Sequence, residues 1–381
     1  MTRGFTYITL LTALLAVGCA KTDVVGGPEP AAVGFSTYAL RSTAATKAGD
    51  SFVAPGQNFA QGAELAVYAY YHPNSTWAAE TAAGTNKPDF MYDQSVVKQE
   101  NGSWAYAPVK YWPNNYTDPI DRLSFWAYYP RGAAGLSLYA AGTTTPYSNT
   151  TSGLPKVVFT QSTNPDNMID LMMAAPQKDL YKTQTHTVDD ATWSYGAITN
   201  GQVLLAFKHA LTLVEFRVAD GCGAIVHSLS LTKICKTGTM ADPSVIPFSW
   251  EASHNGNDAT ISLSDELDVN EPNILSILAI PQELDADATL TLNYDIKFPS
   301  MDPNDDDPYG EDAIIYSDNN VSVKLFRNEG DENDYGVTEW LPGKHYIYYI
   351  YAGLERIEFE EIVSGDWENW NILDPDINVP D

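Results

Sequence analysis

The sequence predicts an all-β protein built from β-sandwiches, and three observations carry that expectation. "TLTLNYDIKF" alternates strictly, with Leu290, Leu292, Tyr294, Ile296 and Phe298 in one phase and Thr289, Thr291, Asn293, Asp295 and Lys297 in the other. Period-two alternation means a strand with one buried and one wet face. Short apolar segments of this kind recur between clusters of Gly, Pro, Asn and Asp, at the spacing of a sandwich. No long segment has the 3.6-residue periodicity of an amphipathic helix. The chain has 381 residues, 44% of them hydrophobic and 12% aromatic, which suits two folded domains rather than a disordered chain. Its net charge of −28 would repel nucleic acid and anionic head groups, so no nucleic-acid partner is expected.

The first element is a leader. "MTRGFTYITLLTALLAVGCAK" has Arg3 in a short basic region, an apolar run from Ile8 to Val17, and small residues before Cys19. A run of about ten residues is too short for the ~20 that span a bilayer, so residues 1–18 read as a cleaved signal peptide. Ala-Val-Gly-Cys looks like a lipobox, with Ala16 where Leu is usual, which makes Cys19 the candidate lipidation site. The bland alternative is an ordinary signal peptide with an incidental cysteine. Ala20, where an Asp commonly retains lipoproteins at the inner membrane, points to an outer-membrane lipoprotein at the cell surface. Residues 19–33 are small, polar and Gly/Pro-bearing, a tether.

The N-terminal domain is expected over 34–200. Val33, Phe35, Thr37 and Ala39 share one phase of a short first strand, followed by Arg41 and a polar stretch that contains Lys47. "ELAVYAYY" places Leu65, Val67 and Ala69 on one face, and "RLSFWAYYP" does the same with Leu123, Phe125, Ala127 and Tyr129. The second of these closes an aromatic stretch, Gly102–Pro130, with nine rings. Outward rings in such strands serve a sugar platform or a packing contact equally well; packing is the ordinary use of buried rings.

The C-terminal domain is expected over 201–381. In "FKHALTLVEFRV" the apolar phase changes between Leu211/Leu213 and Val214/Phe216/Val218, which predicts a β-bulge near Leu213. "NILSILAIPQEL" reads as a buried strand stopped by Pro281. "WLPGKHYIYYIYAGL" reads as a turn followed by a strand apolar on both faces, which needs cover twice. Cys222 falls at a turn and Cys235 at the far end of the following strand, about 30 Å away, against the ~4.4–6.8 Å between Cα atoms of a disulfide. Two unpaired thiols are therefore expected.

Little points to chemistry. There is no P-loop, HExxH or GxSxG motif, and the six histidines show no metal-ligand spacing. His209 reads as a hydrogen-bonded structural residue. Asp302, Asn304 and Asp306 have EF-hand-like spacing, but Asp307 stands where that loop needs Gly, so the segment reads as a solvated acidic loop. Paired glycosidase carboxylates leave no local signature, so only motif absence argues against an enzyme. The reading is no enzyme, no cofactor and no metal site.

"ELAVYAYY", "WAYAPVKYWP" and "LSFWAYYP", followed in order by "FKHALTLVEFRV", "LAIPQEL" and "WLPGKHYIYYIYAGL", resemble the fimbrillin-like family, surface proteins of Gram-negative anaerobes. The resemblance runs from about Gly34 to Trp367. It implies two tandem transthyretin-like β-sandwich domains, a lipoprotein precursor, and a structural or adhesive subunit of fimbriae, with other pilus subunits as partners. It also implies that Trp104, Tyr106, Tyr111, Trp112, Phe125 and Trp126 pack within the fold. In proteins similar to this one a protease cuts after a basic residue near the first strand, which makes Arg41 the candidate processing site, with Lys47 second. The opened groove then accepts a strand from another subunit. "NILDPDINVPD", with Pro375 and Pro380, is poor donor-strand material. The alternative function is a monomeric surface lipoprotein that binds host or bacterial glycans through exposed rings.

Overall fold

The computed structural model describes residues 32–39, 59–113, 121–181, 189–190, 193–194, 202–218, 224–263, 275–298, 301, 314–326, 337–353 and 356–367. Cys19, Arg41, Lys47, Cys222, the acidic loop 302–312 and the C-terminal "NILDPDINVPD" lie outside them.

In chain order the first strands are β1 (Gly34–Ala39), β2 (Glu64–His72), β3 (Met91–Lys98), β4 (Trp104–Ala105), β5 (Arg122–Tyr129), β6 (Leu136–Tyr139), β7 (Lys156–Thr160) and β8 (Met172–Leu180). A two-turn helix, α1 (Trp77–Ala83), follows β2. Thr76 caps it by accepting from the Ala79 N–H, and Gly84 closes it in the left-handed region that an L-residue avoids. Two short strands, β9 (Asp189–Asp190) and β10 (Trp193–Ser194), pair with each other. Then come β11 (Gln202–His209) and β12 (Thr212–Val218). The remainder are β13 (Ala224–Cys235), β14 (Thr237–Met240), β15 (Asp258–Leu263), β16 (Leu275–Ala279), β17 (Gln282–Glu283), β18 (Thr289–Phe298), β19 (Ile314–Lys324), β20 (Glu339–Trp340), β21 (Lys344–Gly353) and β22 (Arg356–Asp366).

The all-β expectation holds. A seven-stranded sheet runs β1-β11-β8-β5-β2-β3-β4, and two four-stranded sheets run β16-β12-β21-β22 and β15-β13-β18-β19. The four-stranded sheets face each other across a core that includes Leu213, Phe216, Leu229, Leu292, Tyr294 and Tyr348. β18 keeps its predicted alternation: Leu290, Leu292, Tyr294 and Ile296 are buried and the residues between them half-buried, with only Phe298 at the strand end exposed.

Two sequence expectations change. The phase shift in "FKHALTLVEFRV" is not a bulge. β11 ends at His209, and after Ala210 and Leu211 the chain resumes as β12 in a different sheet. β11 pairs in parallel with β1 and antiparallel with β8, so it completes the seven-stranded sheet. β14 likewise returns to pair with β7. Also, β2 and β5 have no wet face. Leu65, Val67, Leu123 and Phe125 enter one core, while Ala66, Tyr68, Tyr70, Trp126 and Tyr128 enter another. Strands in mid-sheet with cover on both sides carry apolar residues in both phases.

Candidate functional site

β1 stands at one end of the seven-stranded sheet. Among the described residues it hydrogen-bonds to one strand only, with Gly34 opposite Gln202 and Ala39 opposite Phe207 in parallel register. It is therefore an edge strand, joined along one side. Its apolar phase nonetheless sits deep: Val33 and Phe35 are 1% and 5% exposed. Burying two such side chains contributes roughly 1.5–3 kcal/mol each.

The cover comes from the aromatic stretch. The seven-stranded sheet curls until its two edges approach, so that the Trp104 indole N–H of β4 donates to Thr37 Oγ1 of β1 at 3.1 Å. Just beyond β4 the chain turns over β1. Tyr106 donates its hydroxyl to the Val33 carbonyl at 2.8 Å, and the Val33 N–H donates to the Lys110 carbonyl at 2.9 Å. Ala32 forms an isolated antiparallel bridge with Tyr111. The Phe35 ring meets Tyr106 and Phe125 edge-on, at centroid distances of 5.5 and 5.9 Å. Burial pushes the Tyr106 hydroxyl pKa up, so it remains a donor. Behind the clamp, Phe59 packs edge-on against Trp104, Tyr129 and Phe207.

Of the six rings named from the sequence, Trp112, Phe125 and Trp126 are buried, Trp126 in the other core, and Trp104 and Tyr106 pack against the core of Trp112 and Phe125 from its rim. Tyr111 is the exception. It is 52% exposed, because its backbone, rather than its ring, makes the bridge to Ala32. Trp104, Tyr106 and Phe125 contact the first strand directly, and none of the buried rings forms an open sugar platform.

β11 lies beside β1 in the same sheet. Val203, Leu205 and Phe207 are at most 1% exposed and share the core that holds Val33 and Phe35. β1 ends two residues before Arg41. His209, at the end of β11, has the structural role expected of it. Its Nδ1 lies 2.9 Å from Asp170 Oδ1, and its ring stacks on Trp367 at 3.7 Å between centroids.

The sequence missed one cluster. Cys235 is a free, buried thiol, and its Sγ lies 3.4 Å from His254 Nδ1, which lies 2.6 Å from Asp258 Oδ1. The three donors come from a strand end, the segment ahead of a turn and a strand start, so no ligand-spacing template marks them. Their one sequence signal is His254 and Asp258 four residues apart. Among the described residues no helix is long and apolar enough to cross a membrane.

The fimbrillin-like family model matches residues 45–367. The chain belongs to the fimbrillin-like family. None of the curated proteins matches this family member. Among solved structures, it is similar to a candidate cell adhesion protein of Bacteroides uniformis, at 16% identity and a TM-score of 0.43, over 89% of this chain and 99% of that one. A C-terminally truncated tip fimbrial protein of Porphyromonas gingivalis is similar at 11% identity and a TM-score of 0.35, over 81% and 95% of the two chains. A candidate polysaccharide-binding protein of Bacteroides thetaiotaomicron is similar at 10% identity and a TM-score of 0.31, over 81% and 89%.

Proposed function

We propose that this fimbrillin-like protein is a structural or adhesive subunit of cell-surface fimbriae. In this reading it is exported as a lipoprotein precursor acylated at Cys19, held at the outer membrane, and assembled by strand exchange after cleavage behind Arg41. Besides family membership, the observation that carries the reading is the state of β1. Among the described residues it is a short edge strand with one hydrogen-bonded neighbour, paired beside a deeply apolar strand and followed within two residues by Arg41. Its departure would open a groove in which main-chain groups of β11 and pockets for alternate side chains await another strand.

The test is N-terminal sequencing of surface-extracted protein, combined with electron microscopy of antibody-labelled cells. A start at Ser42 and labelled filaments support the reading. An acylated Cys19 on every molecule, with diffuse label and monomers throughout, would replace it with the monomeric glycan-binding lipoprotein. A Cys19→Ser variant that still fractionates with membranes removes the lipid anchor from the proposal.

A further inference from the structure

β13 ends at Cys235 and β15 begins at Asp258, and the two residues are paired opposite each other. His254 lies just ahead of the turn that precedes β15. The atoms Cys235 Sγ, His254 Nδ1 and an Asp258 carboxylate oxygen lie within 4.8 Å of one another. His254 Nε2 lies 3.0 Å from the Glu283 carbonyl oxygen. A carbonyl oxygen only accepts, so Nε2 carries a proton, and Nδ1 is the nitrogen turned toward the thiol and the carboxylate. Asp258 Oδ2 is taken by Lys233 Nζ at 3.0 Å, which leaves Oδ1 on the side of the cluster.

We propose that Cys235 Sγ, His254 Nδ1 and Asp258 Oδ1 form a binding site for a divalent cation of the zinc class, with water as the fourth ligand. The donor set selects the ion. A thiolate and an imidazole suit a borderline-soft cation and disfavour calcium or magnesium, which take oxygen. An imidazole whose second nitrogen donates to a backbone carbonyl is the usual orienting arrangement for a metal-bound histidine. Bond lengths of about 2.3 Å to sulfur and about 2.0–2.2 Å to nitrogen and oxygen place tetrahedral S and N ligands roughly 3.5 Å apart, and N and O roughly 3.3 Å apart. The observed S to N distance is 3.4 Å, and the 2.6 Å between Nδ1 and Oδ1 requires the carboxylate to withdraw by under an ångström. The Asp258 side chain is 23% exposed and has room to do so, and with the equally exposed His254 it provides the entry path to the buried sulfur.

Binding exchanges protons for the metal. The Cys235 S–H bond breaks as the S–metal bond forms, and that proton goes to solvent. A proton on His254 Nδ1 leaves in the same way, while Nε2–H stays on the Glu283 carbonyl. Thiolate and carboxylate then balance the charge of the ion, and no oxidant or reductant takes part. The ion ties the end of β13, the segment at His254 and the start of β15 together, and reaches β17 through Glu283. The site stands independently of any role in fimbriae.

The test uses the full chain, free of metal and of any histidine tag, titrated with Zn²⁺ alone and then with Co²⁺ alone. One ion bound per chain, a thiolate-to-cobalt charge-transfer band, and a Zn²⁺-dependent rise in Tm are expected. Cys222→Ser retains the band and Cys235→Ser abolishes it. Because Cys235 is buried and its variant could fail to fold, the partly exposed His254→Gln and Asp258→Asn are measured beside it. Each should weaken Zn²⁺ binding at least about 100-fold, the upper end of what losing a mere outer-shell partner costs. No bound Zn²⁺, a cobalt complex without the thiolate band, or unchanged affinity in His254→Gln overturns the proposal.

Discussion

Glu215 shows how a single charged residue is tolerated in an apolar sheet. It belongs to β12, and its side chain is 1% exposed. Arg217 Nη2 approaches Oε2 to 2.6 Å and His345 Nε2 lies 3.3 Å from the same oxygen. Burial pushes the carboxyl pKa up, but the His345 ring and the Arg217 guanidinium outweigh it and hold the carboxyl below its usual range. A carboxylate with a depressed folded-state pKa contributes stability at pH values above the unfolded range, near 4.3, and loses it as pH falls through the folded value. Glu215→Gln keeps the shape but leaves the Arg217 guanidinium without its anion. It should cost about 3 kcal/mol near neutral pH, the lower end for breaking a buried pair, since Arg217 keeps some solvent. Urea unfolding midpoints from pH 7 to 3 check this: the gap between wild type and variant should narrow as the pH falls. A gap independent of pH would mean that the ion pair is not the source of the loss.

At the scale of elements, β1 and its aromatic clamp form a unit whose hold can be weakened without touching the second core. Tyr106→Phe removes the hydroxyl from the Val33 carbonyl and should cost about 1 kcal/mol. Phe35→Ala removes a ring packed between Tyr106 and Phe125, with a loss approaching the ~3–5 kcal/mol of a buried Phe. Amide hydrogen exchange should then quicken in β1 and β11 while β18 and β21 stay protected, because among the described side chains none from β1 belongs to the core they share. Uniform acceleration across all four strands would contradict that independence. The elements also differ in how far the sequence disclosed them. β18 was legible because one of its faces is wetter, so its polar and apolar phases separate cleanly. β2 and β5 were legible as strands but not as mid-sheet strands, since a ring that faces a second core looks the same in sequence as one that faces solvent. The step from β11 to β12 was legible only as a change of phase, which a bulge and a change of sheet produce alike. The Cys235 cluster was not legible, because strand pairing rather than spacing brings Cys235 to Asp258.

At the scale of the whole molecule, two cores divide the burden of stability unequally, and that division sets the last prediction. One core runs from Tyr68 and Trp126 through Phe159 and Met168 into the facing four-stranded sheets. The other is enclosed by the curled seven-stranded sheet and completed by Val33 and Phe35. Limited trypsin treatment of the full chain, aimed at Arg41 and Lys47, should therefore leave a folded body with β1 still seated, held by its register with β11 and by the clamp. Mild urea should release the cut strand first, because a six-residue edge strand without covalent attachment is retained by its pairing with β11, the clamp and the burial of Val33 and Phe35 alone. Val203, Leu205 and Phe207 then meet solvent, and a strand edge of this kind pairs readily with another chain. The expected sequence is loss of the N-terminal peptide, binding of a hydrophobic dye, and growth of oligomers, with far-UV circular dichroism nearly unchanged. Added peptide spanning residues 32–41 should suppress the oligomers by reoccupying the groove. Oligomers that form equally well with the peptide in excess, or a body that unfolds as soon as the strand leaves, would show that β1 is a fixed part of the core and not an exchangeable one.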